Sequence, residues 1–205
     1  MLKARVAVLV SGGGTNFQAL LDAQESGALQ HGSIVLAVSD RPAYALERAA
    51  KYGVQARLLN RRELGVERLC SNLSSLLDEF KVDVIILAGF LSILSEDIVR
   101  RYKGRIVNIH PSLLPAFGGK GFYGLKVHEA ALARGVKITG ATAHIVNEIT
   151  DGGEILMQKA VEVMPGDTPQ SLQRRVMEQA EWELLPRAAE RICRQFIQER
   201  IHESD

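Results

Sequence analysis

Short runs of β-branched and other apolar residues alternate with helix-like segments along the first half of the chain, and this alternation constrains the fold most strongly. Each run precedes a polar or glycine-bearing turn; the runs are Arg5 to Val10, Ser33 to Ser39, Gln55 to Leu59, Val82 to Leu87 and Arg105 to His110. Strands separated by helices form parallel sheets that are covered on both faces. We therefore predict an α/β fold with a Rossmann-like, mostly parallel sheet and helices on both faces.

The helices between these runs follow from hydrophobic spacing. Between the third and fourth runs, apolar residues recur at helical intervals and leave charged residues for solvent; these apolar residues are Leu69, Leu73, Leu76, Leu77 and Phe80. Near the C-terminus, Thr168 and Pro169 predict a helix start, with a capping hydroxyl and a proline at the first position. We predict that this helix continues to about Ile201 with a bend at Pro186.

The strand pattern changes after residue 135. Ile138 to Val146 and Glu154 to Val163 are predicted strands, and the polar turn from Asn147 to Gly153 joins them without an intervening helix. Strands joined in this way pair antiparallel. The C-terminal part of the sheet should therefore carry antiparallel additions.

Charge and composition narrow the class of protein. The 205 residues fit one domain spanning 1–205, and 25 basic against 24 acidic side chains leave a formal charge of +1. A nearly neutral chain has no strong positive electrostatic field to attract nucleic acid or an anionic membrane. The apolar run Val6 to Val10 is too short to span a bilayer, so we expect a cytoplasmic protein with no nucleic-acid or membrane partner. Cys70 and Cys193 are predicted packing residues.

A glycine-rich turn follows the first predicted strand. In Ser11-Gly12-Gly13-Gly14-Thr15-Asn16, free backbone N–H groups and the positive end of a helix dipole favour an anion such as phosphate. The turn lacks the Lys-Ser/Thr pair of a P-loop, and Phe17 stands where a dinucleotide-binding fold needs its third glycine. Two alternatives stay open: a dinucleotide site in which Asp40 holds a ribose hydroxyl, and a tight turn without a ligand.

The segment Asn108-Ile109-His110-Pro111 places an amide and an imidazole at the end of the fifth run. Side chains two residues apart in a strand point the same way, so Asn108 and His110 share one face, opposite Ile109. Pro111 cannot donate to a sheet ladder, so the strand should end at this pair. A lone histidine here would more often be structural, but beside the amide it is a candidate catalytic residue.

A carboxylate comes from the polar turn between the last two strands. Gly152 and Gly153 carry no side chains, so the turn could bring Asp151 against the strand end, where its charge would favour the imidazolium form of His110. An ordinary hairpin turn is the alternative. His144 either faces the same crevice as a supporting residue or packs in the core. No histidines have metal-ligand spacing, so we predict no metal.

Taken together, the glycine turn, Asn108-Ile109-His110-Pro111-Ser112-Leu113-Leu114-Pro115 and Asp151-Gly152-Gly153 make the chain resemble the phosphoribosylglycinamide formyltransferases over nearly its whole length. Ala88-Gly89-Phe90 followed by Ile93-Leu94 matches that family's loop after the fourth strand. The resemblance implies the formyltransferase fold, with a nucleotide-binding half to about residue 103 and a folate-binding, catalytic half over 104–205. It also implies formyl transfer from 10-formyltetrahydrofolate, a co-substrate, to the amine of 5-phosphoribosylglycinamide in purine biosynthesis.

The resemblance assigns roles to individual residues. It implies that the catalytic residues are Asn108, His110 and Asp151. It implies that the ribonucleotide is bound by Gly14, Thr15, Asn16, Gly89, Glu178, Gln179, Ala180 and Glu181. It implies that the folate is bound by Leu91, Ser92, Ile93, Leu94, Asn108, Asn147, Glu148, Ile149, Thr150 and Asp151.

Several positions depart from the family pattern. An arginine common in the family is Val66 here, for which Arg62 or Arg68 could substitute, and Trp182 stands where histidine is common. A formyltetrahydrofolate hydrolase, another folate-dependent formyltransferase and a non-catalytic nucleotide-binding module are the alternatives; we expect the first two to need a further domain for which this length has no room. The expected partners are small-molecule substrates, bound by a monomer or a homodimer.

Overall fold

The computed structural model describes residues 2–202, so the predicted domain limits at 1 and 205 lie outside the described residues. Among these residues, seven strands form one sheet: β1 Ala4–Val10, β2 Gly32–Ser39, β3 Gln55–Leu58, β4 Val84–Leu87, β5 Ile106–His110, β6 Ile138–Ile145 and β7 Ile155–Glu162. Their order is β3-β2-β1-β4-β5-β6-β7. The first five strands pair in parallel, and β6 and β7 are added antiparallel. The predicted fold class is confirmed, with strand limits that differ by one or two residues.

In the described part of the chain, seven α-helices connect and cover the strands: α1 Thr15–Glu25, α2 Ala45–Lys51, α3 Arg61–Glu79, α4 Glu96–Arg101, α5 Leu125–Arg134, α6 Pro169–Val176 and α7 Trp182–His202. The predicted amphipathic helix is the second part of α3, which begins earlier than expected and is kinked at Gly65, where φ is 73°. Between residues 2 and 202, no helix combines the length and the apolar character needed to cross a bilayer.

Two hydrophobic cores lie on opposite faces of the sheet. Val6, Val8 and Val10 of β1 belong to one core, with α1, α2, α5, α6 and α7. Ala7 and Leu9 belong to the other, with α3 and α4. This alternation follows from the two-residue period of a strand. Each of the two buried cysteines packs into one of these cores, as predicted.

The C-terminal segment begins as predicted and is interrupted differently. Thr168 accepts a hydrogen bond from the Ser171 N–H, and Ser171 accepts one in return, which forms a capping box ahead of α6. We expected one helix bent at Pro186. Instead a π-helical turn, Met177–Glu181, separates α6 from α7, and Pro186 lies inside α7.

The strand order creates a crevice between β1 and β4. These strands are neighbours in the sheet. From β1 the chain continues to β2 and β3 on one side, and from β4 it continues to β5 on the other side, so the strand order reverses between them. In open α/β sheets, ligands bind outside the carboxyl ends of strands at such a reversal point. The turn after β1 and the loop after β4 both lie there, joined by a 2.8 Å hydrogen bond from the Leu91 N–H to the Ser11 hydroxyl.

Candidate active site

Asn108 and His110 end strand β5 on one face of the sheet. Val107 and Ile109 face the opposite way, into the core that contains α7, and the strand stops at His110, directly before Pro111. Asn108 is partly exposed, whereas His110 is 4% exposed. The amide and the imidazole are therefore held by a strand that is anchored on its other face.

Strand β6 holds the turn that follows His110. The Thr142 hydroxyl donates to the Ser112 carbonyl at 2.6 Å and accepts from the Leu114 N–H at 3.0 Å. Gln158 of β7 donates to both the Leu114 carbonyl and the Thr142 hydroxyl, each at 3.0 Å. These buried bonds fix the chain as it leaves β5, so the direction of His110 does not depend on a free loop.

The two ring nitrogens of His110 have different partners. Nε2 lies 2.8 Å from the Phe117 carbonyl, which only accepts, so Nε2 carries the proton in the neutral ring. Nδ1 faces Asp151, with Oδ2 at 3.5 Å. Burial lowers the pKa of His110, and this effect exceeds the opposing influence of Asp151 and the Phe117 carbonyl. Asp151 favours the imidazolium, as expected, but desolvation outweighs this charge interaction, so the ring is neutral at pH 7 and its Nδ1 carries no proton.

The turn between β6 and β7 brings Asp151 to this histidine. Asp151 adopts a positive φ of 54°, which Asp tolerates better than most residues. A Cβ atom at Gly153 would lie 1.8 Å from the Ile145 carbonyl oxygen, and one at Gly152 would lie 2.6 Å from Ile149 Cγ2. Both positions need glycine for this path. The paired glycines therefore permit the tight turn that places the carboxylate.

Groups from separate segments surround the Asp151 carboxylate. The Gly119 N–H donates to Oδ2 at 2.8 Å, and His144 Nε2 lies 3.6 Å from Oδ1. Burial raises the pKa of Asp151, but the neighbouring His144 ring, the hydrogen bond from Gly119 and the nearby His110 together leave it below the usual range. Asp151 is therefore ionised at neutral pH and faces two histidines.

His144 links the amide to the carboxylate. It lies directly opposite Asn108 in the β5–β6 register, with Nε2 3.1 Å from Asn108 Nδ2. Nδ1 donates to the Ile145 carbonyl at 2.8 Å, so in the neutral ring Nε2 accepts a hydrogen from Asn108. Of the two interpretations from sequence, a crevice-facing residue and a packing residue, this geometry favours the first.

His128 of α5 is a buried histidine whose surroundings the sequence did not indicate. It is fully buried, and within residues 2–202 neither of its ring nitrogens has a hydrogen-bond partner. Burial, with a contribution from nearby His110, lowers the pKa of His128 to about 4. The ring is therefore neutral at pH 7.

The glycine turn ends in a helix start without a side-chain cap. Gly14 is the N-cap of α1, with a φ of 73°, and the first turn of α1 contains no acidic residue. The first N–H groups of α1 therefore keep their capacity to bind an anion, at the positive end of the helix dipole. Thr15 is exposed here, and Asn16 is buried beneath it.

Of the predicted segment from Glu178 to Glu181, the side chain of Glu181 contacts a residue that follows the glycines of the turn. The Glu181 carboxyl accepts a 2.5 Å hydrogen bond from Asn16 Nδ2, and burial raises the pKa of Glu181 to about 7. Ala180 is buried, and Gln179 is exposed. Glu178 pairs with Arg174 at 2.7 Å on the surface.

The loop after β4 presents apolar side chains and backbone. Gly89 has a φ of 76°, and Leu91 and Ile93 are 44% and 77% exposed, whereas Leu94 is buried. Helix α3 borders this loop, since Cys70 Sγ lies 3.8 Å from the Ile93 carbonyl. Val66, one turn earlier in α3, is exposed. The loop thus offers an apolar rim to a planar ligand.

Asp40 has a structural role that the sequence did not indicate. It is 1% exposed, and it accepts two hydrogen bonds from Arg41 and one of 2.6 Å from the Ser92 hydroxyl. Burial raises the pKa of Asp40, but these bonds together hold it below its usual value. Since its carboxylate is occupied, Asp40 is not placed to hold a ribose hydroxyl, and the Ser92 hydroxyl donates its hydrogen to Asp40.

The remaining predicted folate contacts form an exposed turn beside Asp151. Asn147 Oδ1 accepts from the Ile149 N–H at 3.0 Å, and the Gly152 N–H donates to the Ile149 carbonyl at 2.9 Å. Glu148, Ile149 and Thr150 are exposed. In the described part of the chain, no group of three or more His, Cys, Asp or Glu side chains is arranged to hold a metal ion.

Comparisons with known proteins agree on one family. Residues 4–189 match the family model described as formyl transferase. The trifunctional purine biosynthetic protein adenosine-3 of Bos taurus is 43% identical over 195 residues, which cover 93% of this chain and 18% of that protein. The phosphoribosylglycinamide formyltransferase of Haemophilus influenzae is 36% identical over 184 residues, which cover 89% of this chain and 84% of that protein.

A solved structure shows the same fold. Glycinamide ribonucleotide transformylase 1 of Symbiobacterium toebii superposes with a TM-score of 0.87 at 37% identity, over 94% of this chain and 89% of that one. The chain spans less than a fifth of the length of its Bos taurus relative but most of the length of the two bacterial proteins.

Proposed function

Because this chain belongs to the formyl transferase family, we propose that it transfers the formyl group of 10-formyltetrahydrofolate to the amine of 5-phosphoribosylglycinamide. One observation supports the proposal: Asp151 lies against His110 and, through His144, is linked to Asn108 at the end of β5, the neighbour of β4, while α1 starts after β1 without a side-chain cap. The products are formylglycinamide ribonucleotide and tetrahydrofolate.

The two substrates occupy different parts of the crevice. The N–H groups of Gly14, Thr15 and Asn16 bind the phosphate, because this helix start supplies free donors and a favourable dipole. Glu181 accepts from the ribose hydroxyls next to Asn16, and Gly89 and the residues 178–180 border the ribonucleotide. The folate lies between the loop containing Leu91 to Leu94 and the turn from Asn147 to Asp151.

The reaction begins with attack of the neutral amine on the formyl carbon. A glycinamide amine titrates like a free α-amino group, near pH 8, so roughly a tenth of it is neutral at pH 7. His110 accepts the amine proton at Nδ1, the nitrogen that does not bind the Phe117 carbonyl. The resulting imidazolium lies 3.5 Å from the Asp151 carboxylate, which stabilises it.

Asn108 stabilises the tetrahedral intermediate. The carbonyl oxygen of the formyl group gains negative charge on attack, and a neutral amide donor of this kind is typically worth about 3 to 4 kcal/mol. His144 orients the amide by accepting one Nδ2 hydrogen, which leaves the second for the oxyanion. The bond from carbon to N10 then breaks, and His110 returns its proton to the departing nitrogen.

We extend the proposal to the setting of the reaction. Two small molecules are sufficient as substrates, and we propose that the chain acts on them in the cytoplasm as a monomer or homodimer, with no nucleic-acid or membrane partner. Sedimentation equilibrium at assay concentration distinguishes the two assembly states.

Folate absorbance tests the function directly. Purified protein is mixed with 10-formyltetrahydrofolate with and without 5-phosphoribosylglycinamide, and formation of tetrahydrofolate is followed. We expect turnover only when the ribonucleotide is present, with one formylated product per tetrahydrofolate. Equal turnover without it would indicate a formyltetrahydrofolate hydrolase, and no turnover in either mixture would indicate a binding module.

A further inference from the structure

Helix α2 packs directly against the glycine turn. The Ala45 N–H donates to the Gly12 carbonyl at 3.4 Å. A Cβ atom at Gly14 would lie 2.7 Å from Ala45 Cβ and 3.6 Å from Arg48 Cδ. Close approach as well as a positive φ therefore requires glycine at position 14, and α2 forms one wall of the turn.

Arg48 of α2 joins the turn to the helix that follows it. Its Nε donates to the Gly13 carbonyl at 2.8 Å, and its Nη1 donates to Gln18 Oε1 at 2.7 Å. The guanidinium also stacks over the Tyr44 ring, at 5.0 Å from the centroid. Two arms of one planar group thus hold the residue before the N-cap and a residue in the first turn of α1.

This contact determines which way the turn directs its donors. In a trans peptide the C=O and the next N–H point in opposite directions. Arg48 draws the Gly13 carbonyl towards α2, so the Gly14 N–H of the same peptide points away from α2. Within residues 2–202, Arg48 is the only Lys or Arg whose side chain hydrogen-bonds the backbone of residues 11–16. Its charge also reduces the repulsion between a dianion and the Gly13 carbonyl.

We propose that Arg48 is the positioning residue of the phosphate site, which rests on the function proposed above. Its planar fork fixes the peptide between Gly13 and Gly14 so that the helix-start donors converge on the phosphate. The effect should be confined to phosphorylated ligands, because Arg48 contacts neither the Asn108 and His110 pair nor the folate-binding loops.

The test compares Arg48→Gln and Arg48→Lys with wild type on two acceptors, 5-phosphoribosylglycinamide and its phosphate-free riboside. The matched control is Arg100→Gln, which removes the same charge from an exposed pair with Glu96 and Asp97. We expect Arg48→Gln to raise the KM for the phosphorylated acceptor roughly 10- to 100-fold at nearly unchanged kcat, as loss of a charge-assisted fork implies. Arg48→Lys should recover only part of this loss, because an ammonium group lacks the planar fork.

Three outcomes would overturn the proposal: an unchanged KM for the phosphorylated acceptor, an equal rise in KM for the phosphate-free acceptor, or full recovery with lysine. Full recovery would show that the positive charge alone is sufficient and that the planar guanidinium is not needed. Titration with ribose 5-phosphate gives an independent readout, and we expect Arg48→Gln to weaken its binding by a similar factor while Arg100→Gln does not. If wild type fails to formylate 5-phosphoribosylglycinamide, the proposed function fails, and this titration still decides the role of Arg48.

Discussion

The side-chain amide of Asn16 donates a 2.5 Å hydrogen bond to the carboxyl of Glu181, 165 residues further along the chain. The bond joins the start of α1 to the π-helical turn before α7, and the Glu181 carboxyl is almost completely buried. Burial raises the pKa of Glu181 from its ordinary 4.5 to about 7, and the bond from Asn16 offsets only part of that rise. An ionised Glu181 therefore costs stability in the unliganded protein.

Glu181→Gln should become more stable relative to wild type as pH rises. The pKa of Glu181 is higher in the folded state than in the unfolded state. In wild type its contribution to the free energy of unfolding is therefore full below about pH 4.5 and is lost as pH rises through 7. The shift corresponds to about 3 kcal/mol. Urea unfolding from pH 5 to pH 8 measures the difference, which should grow by up to that amount in favour of the variant.

Glu47→Gln, on the exposed surface of α2, is the control for this experiment. Its stability difference from wild type should stay flat over the same range. A flat difference for Glu181→Gln as well would show that Glu181 ionises without cost. Glu181→Gln should also raise the KM for 5-phosphoribosylglycinamide, because a neutral amide accepts ribose hydroxyls less strongly than a carboxylate.

His110→Ala and Asp151→Asn should each lower kcat by at least about 10², with the fold retained. The first change removes the proton acceptor, and the second removes the charge that stabilises the imidazolium. Folate absorbance gives kcat, while circular dichroism and the dissociation constant of the ribonucleotide monitor structure. Near-normal turnover in either folded variant would refute its assigned role.

In Glu181→Gln, which removes the binding-site carboxyl with a pKa of about 7, the pH dependence of kcat/KM should show two protonations on the acid side. Protonation of the substrate amine gives the plot of log kcat/KM against pH a slope of one below about pH 8. Because burial lowers the pKa of His110, the slope should steepen to two only below its ordinary value of 6.5. With Asp151→Asn added, the steepening should move to still lower pH, since the carboxylate raises the pKa of His110. With Glu181 replaced, a second break above 6.5, or an upward shift of that break when Asp151→Asn is added, contradicts this arrangement.

His144→Leu should lower kcat roughly 10- to 100-fold through Asn108, within the range for loss of an oriented oxyanion donor. His144→Gln should retain more activity, because its side-chain oxygen can still accept from the Asn108 amide. In an Asn108→Ala background, His144→Leu should have little further effect. Multiplicative losses in the double variant would show that His144 does not act through Asn108.

The sequence predicted the elements that follow from local patterning. The period of two residues in β5 placed Asn108 and His110 on one face, Pro111 ended that strand, and Thr168 with Pro169 began α6, all as observed. Short-range sterics and capping determine these features, so residue order is enough to predict them.

The parts that could not be predicted depend on contacts between distant segments. The pKa of His110 depends on how deeply Phe117 and the neighbouring turns bury it, and a pattern of residue types does not give that burial. Asp40 looked like a ligand-binding acid until Arg41 and Ser92 were found to occupy it. Arg48 lies 35 residues from Gly13, with no motif joining them.

The π-helical turn at Met177–Glu181 sets the rotational phase between α6 and α7. Such a turn holds about one residue more than an α-helical turn, and one residue corresponds to about 100° of rotation around a helix axis. Deleting a single residue there would allow a continuous α-helix, but Leu172 and Val176, now fully buried, would rotate out of the core. Insertions and deletions should therefore be far less acceptable in this five-residue stretch than single substitutions at its exposed positions.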